Sequence, residues 1–297
     1  MKKLTLSLIV IIGAVSFNSC DKIDTPLAEV ALNSAGIIWD DSTYIESSAT
    51  LRKVLIEEFT GHTCTNCPLG AAELENLITT YGTQIVPMGI HSDATFCDPR
   101  VEADGSPAQY IGDVAAYTTD FRTTDGDAYR NTFNVSGIPK GFVSRRANGT
   151  PFGFGQWDGE IQAIQNDVPA VSIGLSTLYN DSSRTVKTVV NTTWLASSAG
   201  AYKLQIQLVE DSLVDWQLND GVNQPDYVHR HVFRGSINGT WGSTIPSANQ
   251  GDSDTQEFSY VIPDSFKKKD CIVVVFVYLD NPSYEIIQVE ELHVTSH

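Results

Sequence analysis

Hydrophobic residues change their spacing at Pro169, and that change restricts the fold more than any single motif. Before it, two periods alternate. Val54-Leu55-Ile56 is a compact apolar run, and in the stretch from Leu69 to Tyr81 the residues Leu74, Leu77, Ile78 and Tyr81 recur at helical spacing. Gly82 stands where that helix stops, Ile85 to Ile90 reads as a second strand and Gly141 to Arg145 as a third. Asn148-Gly149 marks a turn, and Trp157, Ile161 and Ile164 share one face of a closing helix. This is an α/β layer arrangement. Beyond Pro169 the period is two: Val171, Ile173 and Leu175 fall on one face, as do Leu204, Ile206 and Leu208, then Phe258, Tyr260 and Ile262. Turn signals at Asn180-Asp181, Asn238-Gly239 and Asn281-Pro282 separate them. The expectation is an α/β domain over 49–168 followed by an all-β, β-sandwich-like domain over 169–297.

The amino terminus sets the compartment. Lys2 and Lys3 precede an apolar run, Leu4 to Val15, too short to span a bilayer, and Phe17-Asn18-Ser19 leads to Cys20. This resembles a bacterial lipoprotein signal, which implies removal of residues 1–19 and a lipid on Cys20; ordinary secretion and an uncleaved anchor are the alternatives. Residues 20–48 read as a tether, with Gly36 to Trp39 docking on the body. Removing residues 1–19 takes the net charge from −17 to −19. Such a surface repels nucleic acid and anionic lipid heads. The later run Cys271 to Leu279 is intensely apolar but too short to cross a membrane, and reads as a buried strand.

The chain has five cysteines, at 20, 64, 67, 97 and 271. Cys64 and Cys67 stand where strand gives way to helix, with Pro68 suited to the first turn. There the helix dipole favours a thiolate at Cys64, and a protonated His62 would add to it. A working thiol pair, a static disulfide and half a metal site all remain open. A zinc site wants four ligands, and no second Cys-x-x-Cys or close histidine pair supplies them, so no metal and no cofactor beyond the cysteine pair is expected. His229-x-His231 puts two imidazoles on one face of a strand, which is only two ligands. His91, Asp93 and Asp98 form a polar cluster after the second strand. Cys271 reads as a core thiol, with a bridge to Cys97 as the other option.

The segments "VLIEEFTGHTCTNCP" and "NVSGIPKGFVSRR" resemble the thioredoxin superfamily from Leu51 to about Asp167. That resemblance implies Cys64 as attacking thiol, Cys67 as resolving thiol, Glu58 as the buried acid that takes its proton, and Pro139 as a cis proline preceded by Ile138. Substrate contacts would then come from His62, Thr63, Ile138 and His91. Residues 96–133 look like an insertion with helical patches around Tyr110 to Tyr117, carrying Cys97 as a third thiol near the pair. With the lipoprotein start and the later segments "YVHRHVFRGSINGTWG" and "CIVVVFVYLDNPSYEIIQVEEL", nearly the whole mature chain resembles the outer membrane protein 28 related lipoproteins of Gram-negative bacteria. That implies a lipid anchor in the outer membrane, facing periplasm or exterior. Two functions follow: thiol-disulfide exchange with envelope protein thiols, or a binding or adhesion lipoprotein for a surface ligand, with a structural disulfide.

Overall fold

The computed structural model describes residues 39–92, 94–246 and 248–296; the signal segment, Cys20 and Gly36 to Ile38 lie outside them. Strands dominate. They run β1 (Asp41–Glu46), β2 (Val54–Thr60), β3 (Ile85–His91), β4 (Tyr110–Ile111), β5 (Val114–Ala115), β6 (Lys140–Val143), β7 (Phe152–Gly153), β8 (Val171–Asn180) and β9 (Thr185–Trp194). The chain continues through β10 (Tyr202–Glu210), β11 (Leu213–Asn219), β12 (Val222–His229), β13 (Val232–Ser236), β14 (Ser243–Ile245), β15 (Ser253–Val261), β16 (Cys271–Leu279) and β17 (Ile286–His293). The main helices are α1 (Cys67–Tyr81), α2 (Thr124–Thr132) and α3 (Trp157–Gln162).

One nine-stranded sheet runs in the order β17-β16-β10-β13-β3-β2-β6-β7, with β14 paired to β10. A four-stranded sheet, β1-β8-β9-β15, packs on one part of it. The large sheet draws strands from both sides of Pro169. The join is the parallel contact of β13 with β3, at Val232 and Gly89, where Gly89 N donates to His231 O at 2.8 Å.

Three apolar layers follow from which face each side chain takes. Val54 and Ile56 of β2 point into a core with Leu74 and Leu77 of α1 and Trp157 and Ile161 of α3. Leu55 and Phe59 point the other way, into a core shared with Val274 and Phe276 of β16. The alternate residues of β16, Val273, Val275 and Val277, face Val171, Ile173 and Leu175 of β8. β16 is thus buried on both faces. That explains an apolar run without alternation, as expected of a strand with covered faces. α1 ends at Gly82, whose φ of 60° and ψ of −138° suit glycine.

Two expectations change. Residues 41–46, read as part of a tether, form β1, antiparallel to β8 in the register Asp41 to Tyr179. Strand alternation in this short stretch, which the sequence hides among polar residues, lets Thr43 reach Thr177 Oγ1 at 2.7 Å and His293 O at 2.8 Å. The helical patch around Tyr110 to Tyr117 is instead the β4–β5 hairpin, turned by Gly112 at φ 62°. The helix of that insertion is α2, started by Thr123, whose side chain accepts from Gly126 N at 2.9 Å.

Glu57 and Glu58 point to opposite faces of β2. Glu57 accepts two hydrogen bonds from Arg145, at 2.7 and 2.6 Å, with both side chains 1 % exposed. The Arg145 guanidinium also lies 5.0 Å from the Tyr129 ring centre and 5.2 Å from that of Phe276. One buried cation therefore ties β2, α2 and β16 together, and the ion pair is satisfied in bidentate fashion.

Candidate functional site

β2 delivers the loop 61–66 to the amino end of α1, and there Cys64 and Cys67 are joined in a disulfide with Cα atoms 5.4 Å apart. The loop is fixed from within by Cys64 N donating to Gly61 O at 3.1 Å, and from the side by Thr63, whose N and Oγ1 both donate to Phe96 O. Ile138–Pro139 is a cis peptide, and Cys64 Sγ lies 3.9 Å from Ile138 O. The structure therefore brings Cys64, Cys67, Ile138 and Pro139 into one site.

Both cysteines are buried, with Cys64 4 % and Cys67 2 % exposed. The cover is the β11–β12 hairpin, a two-stranded ribbon of its own. Leu218 N donates to His62 O at 2.8 Å, Asp220 N to Thr65 O at 3.2 Å and Gly221 N to Thr65 Oγ1 at 2.9 Å. The buried Gln217 amide donates to Gly61 O at 3.3 Å and to Cys64 O at 3.1 Å. Cys64 is thus covered, where attack on a partner would need it accessible: a segment 153 residues downstream in the fold's β-rich part closes the site, which local geometry at the helix start does not reveal.

Glu58 lies beneath α1, 3 % exposed. Desolvation pushes its carboxyl up to about 8, and Oε1 finds no hydrogen-bond partner among the described residues. Gly70 makes the room: a Cβ there would meet Glu58 Oε1 at 2.5 Å and Pro139 Cβ at 3.0 Å. Glu58 and Cys67 both line a cavity of about 490 Å³ that continues between α1, β3 and β12. His91 and His229 sit on its inner wall with ring centres 5.7 Å apart, and His231, Glu75 and Arg230 border it as well.

His62 does not add positive charge. It is 1 % exposed, burial lowers its pKa, and Nε2 donates to Asp98 O at 3.3 Å between the rings of Tyr117 and Phe121. His91 is also held neutral: burial, then the neighbouring His229, lowers its pKa well below the usual value. Neither His91 ring nitrogen has a hydrogen-bond partner among the described residues. The cluster of His91 with Asp98 does not assemble, because the Asp98 carboxylate is taken by Arg122, and Asp93 lies outside the described residues. His229 donates from Nε2 to Trp216 O at 3.3 Å and titrates near 4 through desolvation, as does His231. Among the described residues, no group of three or more His, Cys, Asp or Glu side chains is placed to hold a metal ion.

Cys97 is buried beside the entering loop, its thiol donating to Thr60 O at 3.2 Å. Cys271 is buried in β16, where desolvation pushes its thiol up to about 12. Sequence reading missed the β11–β12 cover. Its signal was present in Asp220-Gly221, both at positive φ, a pair that favours a two-residue hairpin turn.

The family model described as outer membrane protein Omp28 matches residues 126–297. Among solved structures the chain is similar to HBP35 of Porphyromonas gingivalis, at 15% identity and a TM-score of 0.62, over 84% of this chain and 77% of that one; the likeness is one of fold. It also matches a protein of Agrobacterium tumefaciens, at 14% identity and a TM-score of 0.48, over 84% of this chain and 97% of that one. A domain of the outer membrane lipoprotein Omp28 from Porphyromonas gingivalis matches at 21% identity and a TM-score of 0.32, over 43% of this chain and 91% of that domain. No curated protein matches.

Proposed function

The chain belongs to the Omp28 outer membrane protein family, and from that premise we propose that it is a binding lipoprotein held at the outer membrane by a lipid anchor, with its Cys64–Cys67 bridge withheld from protein partners. Cys20 is the residue that carries the lipid. The layer of β2, β3, β6 and β7 with α1 is thioredoxin-like in this reading, used as a scaffold for a surface or envelope ligand. The observation that carries it is the β11–β12 hairpin docked on the 61–65 loop, with Gln217 bonded to Cys64 O. Exchange between proteins requires the attacking sulfur to reach a disulfide on another folded chain, and a covered sulfur cannot. The test is exchange with a protein disulfide substrate, measured on the full-length protein in detergent, beside its binding to isolated envelope fractions. The expected result is no catalysed exchange and binding that survives Cys64→Ser and Cys67→Ser together. Exchange that is lost with Cys64→Ser overturns the reading.

A second reading is protein thiol-disulfide exchange, with Cys64 attacking, Cys67 resolving, Glu58 taking the Cys67 proton and Ile138–Pro139 orienting the partner. It is favoured by the approach of Cys64 Sγ to Ile138 O and by a carboxyl titrating near 8 on the wall shared with Cys67. It requires the hairpin to leave its dock.

A further inference from the structure

The two sulfurs of the bridge are almost equally buried, so their reactivity depends on what lies beside each. Cys64 is enclosed: Ile138 stands over its sulfur, and Gln217 and Leu218 of β11 are bonded to its loop. Cys67 is different. It forms part of the wall of the 490 Å³ cavity, and Cys64 does not. This volume falls within the range that takes small organic ligands.

The cavity also needs a polar guest. The Glu58 carboxyl and His91 are each 3 % exposed, and Glu58 Oε1 and both His91 ring nitrogens lack hydrogen-bond partners among the described residues. Buried polar groups left in this condition cost free energy unless water or a ligand satisfies them. Glu58 and His91 line the same cavity as Cys67. Its helical side is lean, because Ala71 and Ala72 of α1 contribute only methyl groups.

We propose that the cavity is a port through which a small polar thiol of amino-acid or short-peptide size exchanges with the disulfide, and that its sulfur is attacked at Cys67 rather than at Cys64. The incoming thiolate bonds to Cys67 Sγ as the Cys64–Cys67 bond breaks, and Cys64 departs as a thiolate at the amino end of α1. There the positive end of the helix dipole favours the anion. A second small thiolate attacks the sulfur of the first, releasing a small-molecule disulfide and leaving Cys67 as a thiolate that takes a proton from the Glu58 carboxyl. Two thiols are oxidised to one disulfide, and one protein disulfide is reduced to two thiols. Run backwards, the same steps oxidise the protein with a small disulfide. The port inverts the order of attack implied by the motif, because the hairpin seals one sulfur and the cavity exposes the side of the other.

This inference goes beyond a bridge withheld from proteins and stands or falls separately, since its readout involves no protein substrate. Full-length Cys64→Ser and Cys67→Ser variants in detergent each keep one of the two thiols. Treated with glutathione disulfide, Cys64→Ser is expected to acquire glutathione on Cys67 at least about tenfold faster than Cys67→Ser acquires it on Cys64. Fragmentation mass spectrometry locates each adduct. Adding Ala71→Phe to Cys64→Ser fills the port and is expected to slow the reaction by about tenfold, with Ala72→Phe as the alternative plug if the first lowers the yield of folded protein. Equal rates, a faster reaction at Cys64, or a Cys67 rate indifferent to both plugs overturns the proposal.

Discussion

At the scale of residues, Glu58 and Gly70 form one device. In a helix interior glycine is about 1 kcal/mol worse than alanine, so Gly70→Ala would stabilise an ordinary helix. Here the added methyl meets Glu58 Oε1 at 2.5 Å and Pro139 Cβ at 3.0 Å. The variant is expected to lose roughly 1–3 kcal/mol in urea unfolding, the cost of overpacking. An unchanged or higher midpoint would show that the carboxyl moves aside freely. Glu58 also shapes the pH dependence. Its folded pKa, about 8, lies above the ordinary 4.5, so the folded state binds the extra proton and stability falls as pH rises from about 4.5 to about 8. Glu291, pushed up to about 7 by burial, acts in the same direction and is common to wild type and variant. Glu58→Gln is expected to lose less stability than wild type between pH 5 and pH 8, by roughly 2–4 kcal/mol. Parallel profiles would mean that Glu58 ionises in place.

At the scale of elements, the β11–β12 ribbon belongs to neither large sheet and is held at its tip by hydrogen bonds to residues 61–65. An isolated two-stranded hairpin is marginal in water, so its docking depends on those bonds, on its turn and on the bonds that join Asp215, Trp216 and Asn223 to Thr119, Ala115 and Tyr117. Gly221 has φ 79° beside Asp220 at φ 47°. Gly221→Val puts a β-branched side chain where φ is positive and is expected to cost about 1–2 kcal/mol, felt first in the hairpin. Two readouts follow: faster hydrogen exchange at the Leu218 amide, which donates to His62 O, and faster alkylation of Cys64 in the Cys67→Ser background. If Leu218 exchanges faster while Cys64 stays unreactive, the hairpin is not what covers the sulfur. The short strand β1 repeats the lesson from the other end of the chain, since its place is set by the open edge of β8.

At the scale of the whole molecule, one sheet runs through both halves, and the Phe59 and Phe276 layer, with Arg145 bridging β2 to β16, crosses the change of period at Pro169. Residues 39–297 form one compact unit. The expected consequence is one cooperative opening: in native-state hydrogen exchange, the slowest amides of β3 and of β16 are expected to share one free energy and one denaturant dependence. Two separate values would mean that the halves open independently across the β3–β13 contact.

Much of this was legible in the sequence because it depends on neighbours along the chain. The helix from Pro68 to Tyr81 and its stop at Gly82, the period-two faces of β8 and β10, and the buried strand at Cys271 to Leu279 all follow from local spacing, whereas the cis Ile138–Pro139 beside Cys64 was implied by the family resemblance alone. The family resemblance marked Glu58 as a buried acid, whereas Glu57 was passed over, although it is Glu57 that meets Arg145, 88 positions away. What no local pattern contains is contact between distant segments. The sequence by itself determined the types of the principal strands and helices, and it placed two cysteines at a helix start. Only the tertiary structure decided that they form a covered disulfide, that Gln217 lies over Cys64, and that Cys67 borders a cavity with Glu58 and His91. The physical reason is that propensity and periodicity act over a few residues, while the burial and solvation that set a sulfur's reactivity depend on segments 153 residues apart.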